Sequence, residues 1–212
     1  MPLLLASASP QRQTLLRQLL GEVAVQVVVP ADTNEPGFEG PSTLAEIESR
    51  LHLVAAAKEA KGRASLPDGS GGWMLVADTI IVAGDAATRY QVLGKPPEEP
   101  AAYRETLSDW FNRLYAGRTH LAKTGLLLTD GRGGRWPLLV TTEVRFRADA
   151  GAFVDWYLET GEPRGKAGGY AIQGAGSLFV ESVQGSLSNV VGLPLAETWE
   201  LLQRAGAITR LR

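Results

Sequence analysis

Asp78 and Thr79 interrupt an otherwise apolar, β-branched run between Trp73 and Pro96, WMLVADTIIVAGDAATRYQVLGKP, which closes on Gly94-Lys95-Pro96. A carboxylate in mid-strand is costly to desolvate unless a metal, a cation or hydrogen-bond donors meet it. Asp78 therefore calls for a partner, and a carboxylate held beside a ligand is suited to taking a proton from water. The bland alternative is an edge strand whose polar face looks outward.

Three separate segments carry groups that suit phosphate. Ser7-Ala8-Ser9-Pro10-Gln11-Arg12 puts hydroxyls and an arginine at a strand end and a helix start, where free backbone N–H groups and the helix dipole favour an anion. Ordinary capping by Ser9 is the competing reading. Lys95 follows a strand and lies between Gly94 and Pro96. Lys166-Ala167-Gly168-Gly169-Tyr170 with Gln173-Gly174 offers a cation, an amide and glycines that permit close backbone approach to a ligand. Gly174-x-Gly176 lacks the third glycine of a dinucleotide fingerprint and precedes a strand rather than a helix.

Composition narrows the chemistry. Lys plus Arg number 21 against 23 Asp plus Glu, a net charge of -2, so there is no general attraction to nucleic acid or an anionic membrane and any phosphate binding is local. Without cysteine there is no thiolate nucleophile and no cysteine-based metal site. His52 and His120 are too few for a three-histidine metal centre, and no Gly-x-Ser-x-Gly elbow supports a serine hydrolase. His52 falls in a helical stretch as a packed or surface residue, and His120 reads as a strand-edge residue. No run is long and apolar enough to span a bilayer and the first residues lack a basic leader, so a cytoplasmic protein is expected.

The elements that must position these groups alternate. Leu3 to Ala6 reads as a buried strand, and Ser9-Pro10 as an N-cap and first helical residue ahead of Leu15, Leu16, Leu19 and Leu20. Val23 to Val29 is a second strand, Asp32 to Gly40 a polar loop, Leu44 to Ala60 a helix and Ser65 to Gly72 a connector. Leu75 to Ala83 and Tyr90 to Leu93 form two strands about a turn. A helix over Ala101 to Leu114 ends at Gly117, and Leu121 to Thr129 with Trp136 to Phe146 makes an antiparallel hairpin. Asp149 caps a helix over Ala150 to Glu159. Leu178 to Val183 is a further strand, and Pro194 opens a last helix ending near Gly206. Crossover and hairpin connections together predict an α/β or α+β mixed sheet with a cleft.

The stretches LLLASASPQR, VADTIIV with LGKP, GRTHLAKTG, TEVRFR, and KAGGYAIQG followed by SNVVGLPL together resemble the Maf family of nucleoside triphosphate pyrophosphatases, in the family's order and over nearly the whole chain. The resemblance implies an elongated, twisted mixed sheet flanked by helices, an inosine triphosphatase-like fold. Residues 1–212 would form a single domain whose two lobes share the central sheet around a deep cleft. It implies Mg2+ or Mn2+ as cofactor and a possible homodimer. By the same resemblance Asp78 is the general base and a metal ligand, Glu35 a second metal ligand, and Ser7, Ser9, Arg12, Lys58, Lys95 and Lys166 contact the triphosphate. Thr79, Gln173 and Gln11 fall at positions linked to substrate choice. Ile172-Gln173-Gly174 looks like the branch acting on dTTP and UTP, although Gln11 stands where that branch has an arginine and Gly165 where an aspartate commonly precedes the lysine. The implied reaction yields a nucleoside monophosphate and pyrophosphate. The alternative is a nucleotide-binding regulator of cell division that needs no catalysis.

Overall fold

The computed structural model describes residues 2–21, 23–29, 37–66, 72–87 and 89–208. Seven strands form one mixed sheet in the order β2-β1-β3-β5-β6-β7, with β4 paired to β3. The strands are β1 (Leu3–Ala6), β2 (Val25–Val28), β3 (Met74–Asp85), β4 (Arg89–Leu93), β5 (Thr119–Thr129), β6 (Arg135–Phe146) and β7 (Val180–Gln184). β1 runs parallel to both β2 and β3, while β3, β5, β6 and β7 are successively antiparallel. A parallel pair needs a crossover, and the helices α1 (Pro10–Leu20) and α2 (Leu44–Ala64) supply the helical parts of these two connections.

β3 is central, which rules out the outward-facing edge strand considered for Asp78. Its burial follows period 2 on two covered faces. Met74 and Val76 join a cluster with Leu4, Ala6 and Val28, and Ile80 and Val82 pack under Ile47 and Leu51 of α2. The alternate residues Leu75 and Ala77 pack with Leu16, Leu20, Leu201 and Leu202, whereas Ile81 and Ala83 join a separate, aromatic-rich core around Phe111, Phe146, Tyr157 and Phe179. Both faces being covered explains why β3 reads as a continuous apolar run rather than as a clean alternation. Asp78 and Thr79 sit at the joint between these clusters.

The joint is also a gap in the pairing. On the edge of β3 away from β5, β1 pairs with Met74 and Leu75 and β4 pairs with Ile81 to Asp85. Residues 76–80 thus have no strand beside them on that edge among the described residues. A cleft opens there, where strand direction changes from parallel β1 to antiparallel β4. The helix α2 closes on the sheet nearby because Gly125, the register partner of Asp78, has no side chain: a Cβ there would lie 2.9 Å from Leu51 Cγ.

The remaining helices are α3 (Pro100–Asp109), α4 (Val154–Glu159), α5 (Leu187–Val191) and α6 (Leu195–Ala205). Two local expectations change. The helix predicted over Ala101 to Leu114 turns into a π segment at Trp110–Tyr115, closed by the Ala116 N–H donating to the Phe111 carbonyl at 3.0 Å. The wider turn seats Trp110, Phe111, Leu114 and Tyr115 in the aromatic core together. Asp149 does not cap a helix over Ala150 to Glu159: Arg147 takes its carboxylate, a 3-10 turn occupies Ala150–Phe153, and α4 starts at Val154. No helix among the described residues is long and apolar enough to cross a membrane.

Candidate active site

The turn from β1 into α1 forms one wall of the cleft. Ser9 is extended (φ -73°, ψ 117°) and its hydroxyl accepts from the Arg12 N–H at 3.4 Å, so the expected cap is realised, with Pro10 opening the helix. Ser7 Oγ accepts from the Ser9 N–H at 3.1 Å, and the Ser9 hydroxyl also donates to Gln11 Oε1 at 3.2 Å. Arg12 is anchored by its Nε, which donates to the Gly192 carbonyl at 2.9 Å. That carbonyl accepts as well from the Thr79 hydroxyl at 3.2 Å, and Thr79 Oγ1 lies 2.8 Å from Thr124 Oγ1 across the strand pair. The loop after α5, read in the sequence only as SNVVGLPL, is therefore the junction between the first helix and β3.

Asp78 has the partner its position demands. Lys58 Nζ, on α2, donates to Asp78 Oδ1 at 2.5 Å, and both side chains are 14% exposed. Asp78 Oδ2 has no hydrogen-bond donor among the described residues. The pair is a carboxylate held by one oxygen with the other available, beside a cleft of about 740 Å3. That volume is in the range of small-molecule sites.

The opposite wall brings the two other predicted cationic segments together. The Gly168 N–H donates to the Gly94 carbonyl at 2.9 Å, which ties the Lys95 loop to the Lys166 loop, and the Tyr115 hydroxyl donates to the Gly168 carbonyl at 2.8 Å. Gly168 and Gly169 do not free space for a ligand as expected. A Cβ on Gly168 would lie 2.7 Å from Ile81 Cγ1 and one on Gly169 2.1 Å from Leu107 Cδ2, so it is the protein core that needs their absence of side chain. Lys95 is exposed, Lys166 half-buried, and Gln173 exposed at the cleft.

Ser7, Ser9, Gln11, Arg12, Lys58, Asp78, Thr79, Lys95, Lys166 and Gln173 thus converge from five separate stretches of chain onto one cleft. Glu35 lies outside the described residues. Arg164, which sequence reasoning passed over, also lines the cleft with its guanidinium 4.5 Å from the Tyr103 ring centroid. Its signal was the basic pair Arg164 and Lys166 in one glycine-rich stretch. Among the described residues that line the cleft, five are cationic (Arg12, Lys58, Lys95, Arg164, Lys166) and one is a carboxylate, in a chain whose net charge is -2. Such a field selects a polyanion.

His120 departs from expectation. It is 1% exposed, enclosed by Tyr115, Phe146 and Tyr170, with Nε2 2.8 Å from the Tyr170 hydroxyl. Burial lowers its pKa to about 3, so it is neutral and supports the wall behind Lys166 rather than ending a strand at the surface. His52 is exposed on α2, as a helical surface residue should be.

Among the described residues no group of three or more His, Cys, Asp or Glu could hold a metal. One carboxylate with hydroxyls still fits a hard divalent cation of the Mg2+ type, which typically takes one or two carboxylates and completes its shell with water and substrate phosphate.

The family described as Maf-like protein matches residues 2–205. The chain is 42% identical over 208 residues to a protein of Anaeromyxobacter dehalogenans named dTTP/UTP pyrophosphatase, covering 96% of this chain and 94% of that one. It is 41% identical over 210 residues to one of the same name from Myxococcus xanthus, covering 96% and 92%. Among solved structures, a nucleoside-triphosphatase / dITP/XTP pyrophosphatase of Mycobacterium abscessus matches with a TM-score of 0.42 and 14% identity, over 70% of this chain and 75% of that one.

Proposed function

The chain belongs to the Maf-like protein family, and from that premise and the charge of its cleft we propose that it is a nucleoside triphosphate pyrophosphatase, acting on dTTP- and UTP-type nucleotides to give the monophosphate and pyrophosphate. The observation that carries this reading is the set of five cationic side chains that line the cleft with, among the described residues, one carboxylate, itself seated by a lysine. A long polyanion satisfies the cations, while a carboxylate so close to phosphate is unfavourable for binding alone and so points to a role in the reaction.

In this mechanism Lys58 fixes Asp78 through Oδ1, and Oδ2 takes the proton of the water that attacks the α-phosphorus. The in-line leaving group is pyrophosphate, and Lys95, Lys166 and Arg12 stabilise the charge that builds on it. Ser7 and Ser9 offer short polar contacts to phosphate oxygens at the start of α1. A divalent cation, Mg2+ or Mn2+, would be held by Asp78 and Glu35 and would draw charge from the phosphate oxygens. Gln173 can donate to and accept from a pyrimidine edge at once, with Gln11 and Thr79 completing the selection of base.

The test is pyrophosphate release by the purified chain with Mg2+ over a panel of dTTP, UTP, CTP, ATP and GTP. Release with preference for dTTP and UTP is expected. A flat response refutes the pyrimidine reading, and no release from any triphosphate refutes the hydrolytic one.

A further inference from the structure

Gln173 lines the cleft without any side-chain hydrogen bond to a described residue, so its placement is set by its backbone. That backbone is gripped from beneath by two side chains with no part in the chemistry above. Glu162 Oε1 accepts from the Tyr157 hydroxyl at 2.7 Å and from the Gly176 N–H at 2.8 Å, and its Oε2 accepts from the Ala175 N–H at 2.8 Å. The Tyr157 hydroxyl in turn accepts from the Ala171 N–H at 3.1 Å. Residues on both sides of Gln173 are thereby tied to one carboxylate-phenol pair.

The glycines of Ile172-Gln173-Gly174-Ala175-Gly176 belong to this grip. A Cβ on Gly174 would lie 1.9 Å from Glu162 Oε2, and one on Gly176 would lie 2.7 Å from the Ala171 carbonyl and 2.8 Å from the Tyr157 hydroxyl. Burial pushes the Glu162 carboxyl up, but the bonds from Tyr157, Gly176 and Ala175, with Lys166 nearby, outweigh it and hold it below the usual carboxylate range. Burial, and then the bond to Glu162, keep Tyr157 a phenol. The clamp is thus an anion receiving three hydrogen bonds, of the charge-assisted kind that is strong and directional.

We propose that Glu162, seated by Tyr157, is a positioning residue that fixes the amide of Gln173 for reading the nucleobase. This rests on the reading of the cleft as a nucleoside triphosphate site. The test is the affinity ratio, by calorimetry, for dTTP and ATP analogues bearing an imido bridge between the α- and β-phosphates. Glu162→Gln puts an amide N–H against a backbone N–H and is expected to reduce the ratio about tenfold, the effect of losing one good hydrogen bond. Tyr157→Phe, a milder change should the first variant fold poorly, is expected to move the ratio the same way. In a Gln173→Ala background neither substitution should shift it further, since both act through that amide. Equal weakening of both analogues would overturn the proposal, as would a shift that persists without Gln173. Loss of selectivity in both variants, with no pyrophosphate release from the unmodified chain, would uphold the clamp and refute the hydrolytic reading.

Discussion

Asp78→Asn is expected to separate catalysis from binding at this cleft. Asparagine keeps the shape, and its carbonyl can still accept from Lys58 at the position of Oδ1, now as a neutral and weaker acceptor. What is lost is the proton acceptor at Oδ2. General-base assistance is worth roughly 10²- to 10⁴-fold, or about 2.7 to 5.4 kcal/mol of activation free energy, so turnover should fall by that factor. Binding should move the other way or not at all, because the variant removes a negative charge from a cleft lined by cationic side chains. The ion pair is only 14% exposed on each side, so some stability goes with the charge; a loss of about 1 kcal/mol would lower Tm by roughly 2–4 °C in a chain of this size. The assay pairs pyrophosphate release on dTTP with calorimetry of the imido analogue. Turnover within about threefold of the unmodified chain would exclude Asp78 as the base, given the range expected for such a base. Loss of analogue binding with the fold intact would make it a binding group instead.

Lys58→Met keeps the side-chain length but strips the partly buried Asp78 of its cation; denaturant unfolding should show a loss of about 1–3 kcal/mol, and kcat should fall because the base is no longer oriented. An unchanged kcat would contradict that role. Lys95→Ala and Lys166→Ala should each weaken triphosphate binding about 10- to 100-fold and monophosphate binding much less, in line with charge-assisted bonds to the outer phosphates. Equal losses for both ligands would place these lysines elsewhere. His120 predicts a pH effect: its folded pKa of about 3 lies below the ordinary 6.5, so the unfolded chain binds the extra proton and stability falls as pH drops from 6.5 toward 3. The slope is up to about 1.4 kcal/mol per pH unit, and His120→Phe should flatten the unfolding profile in that window; a parallel profile would refute the assignment.

Much of the local architecture follows from the sequence alone. Strand composition gave β1, the β3–β4 turn and the β5–β6 hairpin, because apolar runs and turn formers act over a few residues. Ser9 and Pro10 announced α1, and Gly206 its counterpart at the end of α6, since caps satisfy backbone groups within one turn. The cationic segments and the lone Asp78 were visible as residue types, and their ordered motifs placed the chain in its family. Partners distant in sequence were not visible. Lys58 reaches Asp78 only because α2 lies close over β3 and Gly125 makes room for Leu51. The loops that carry Lys95 and Lys166 meet through the bond between Gly94 and Gly168, and His120 is buried by aromatic residues from three different segments. The π segment after α3 and the loss of the Asp149 cap answer to tertiary packing and to Arg147. Sequence periodicity reports which face of an element is apolar; which elements share that face is decided by sheet register and side-chain volume, and these exist only once the whole sheet has assembled.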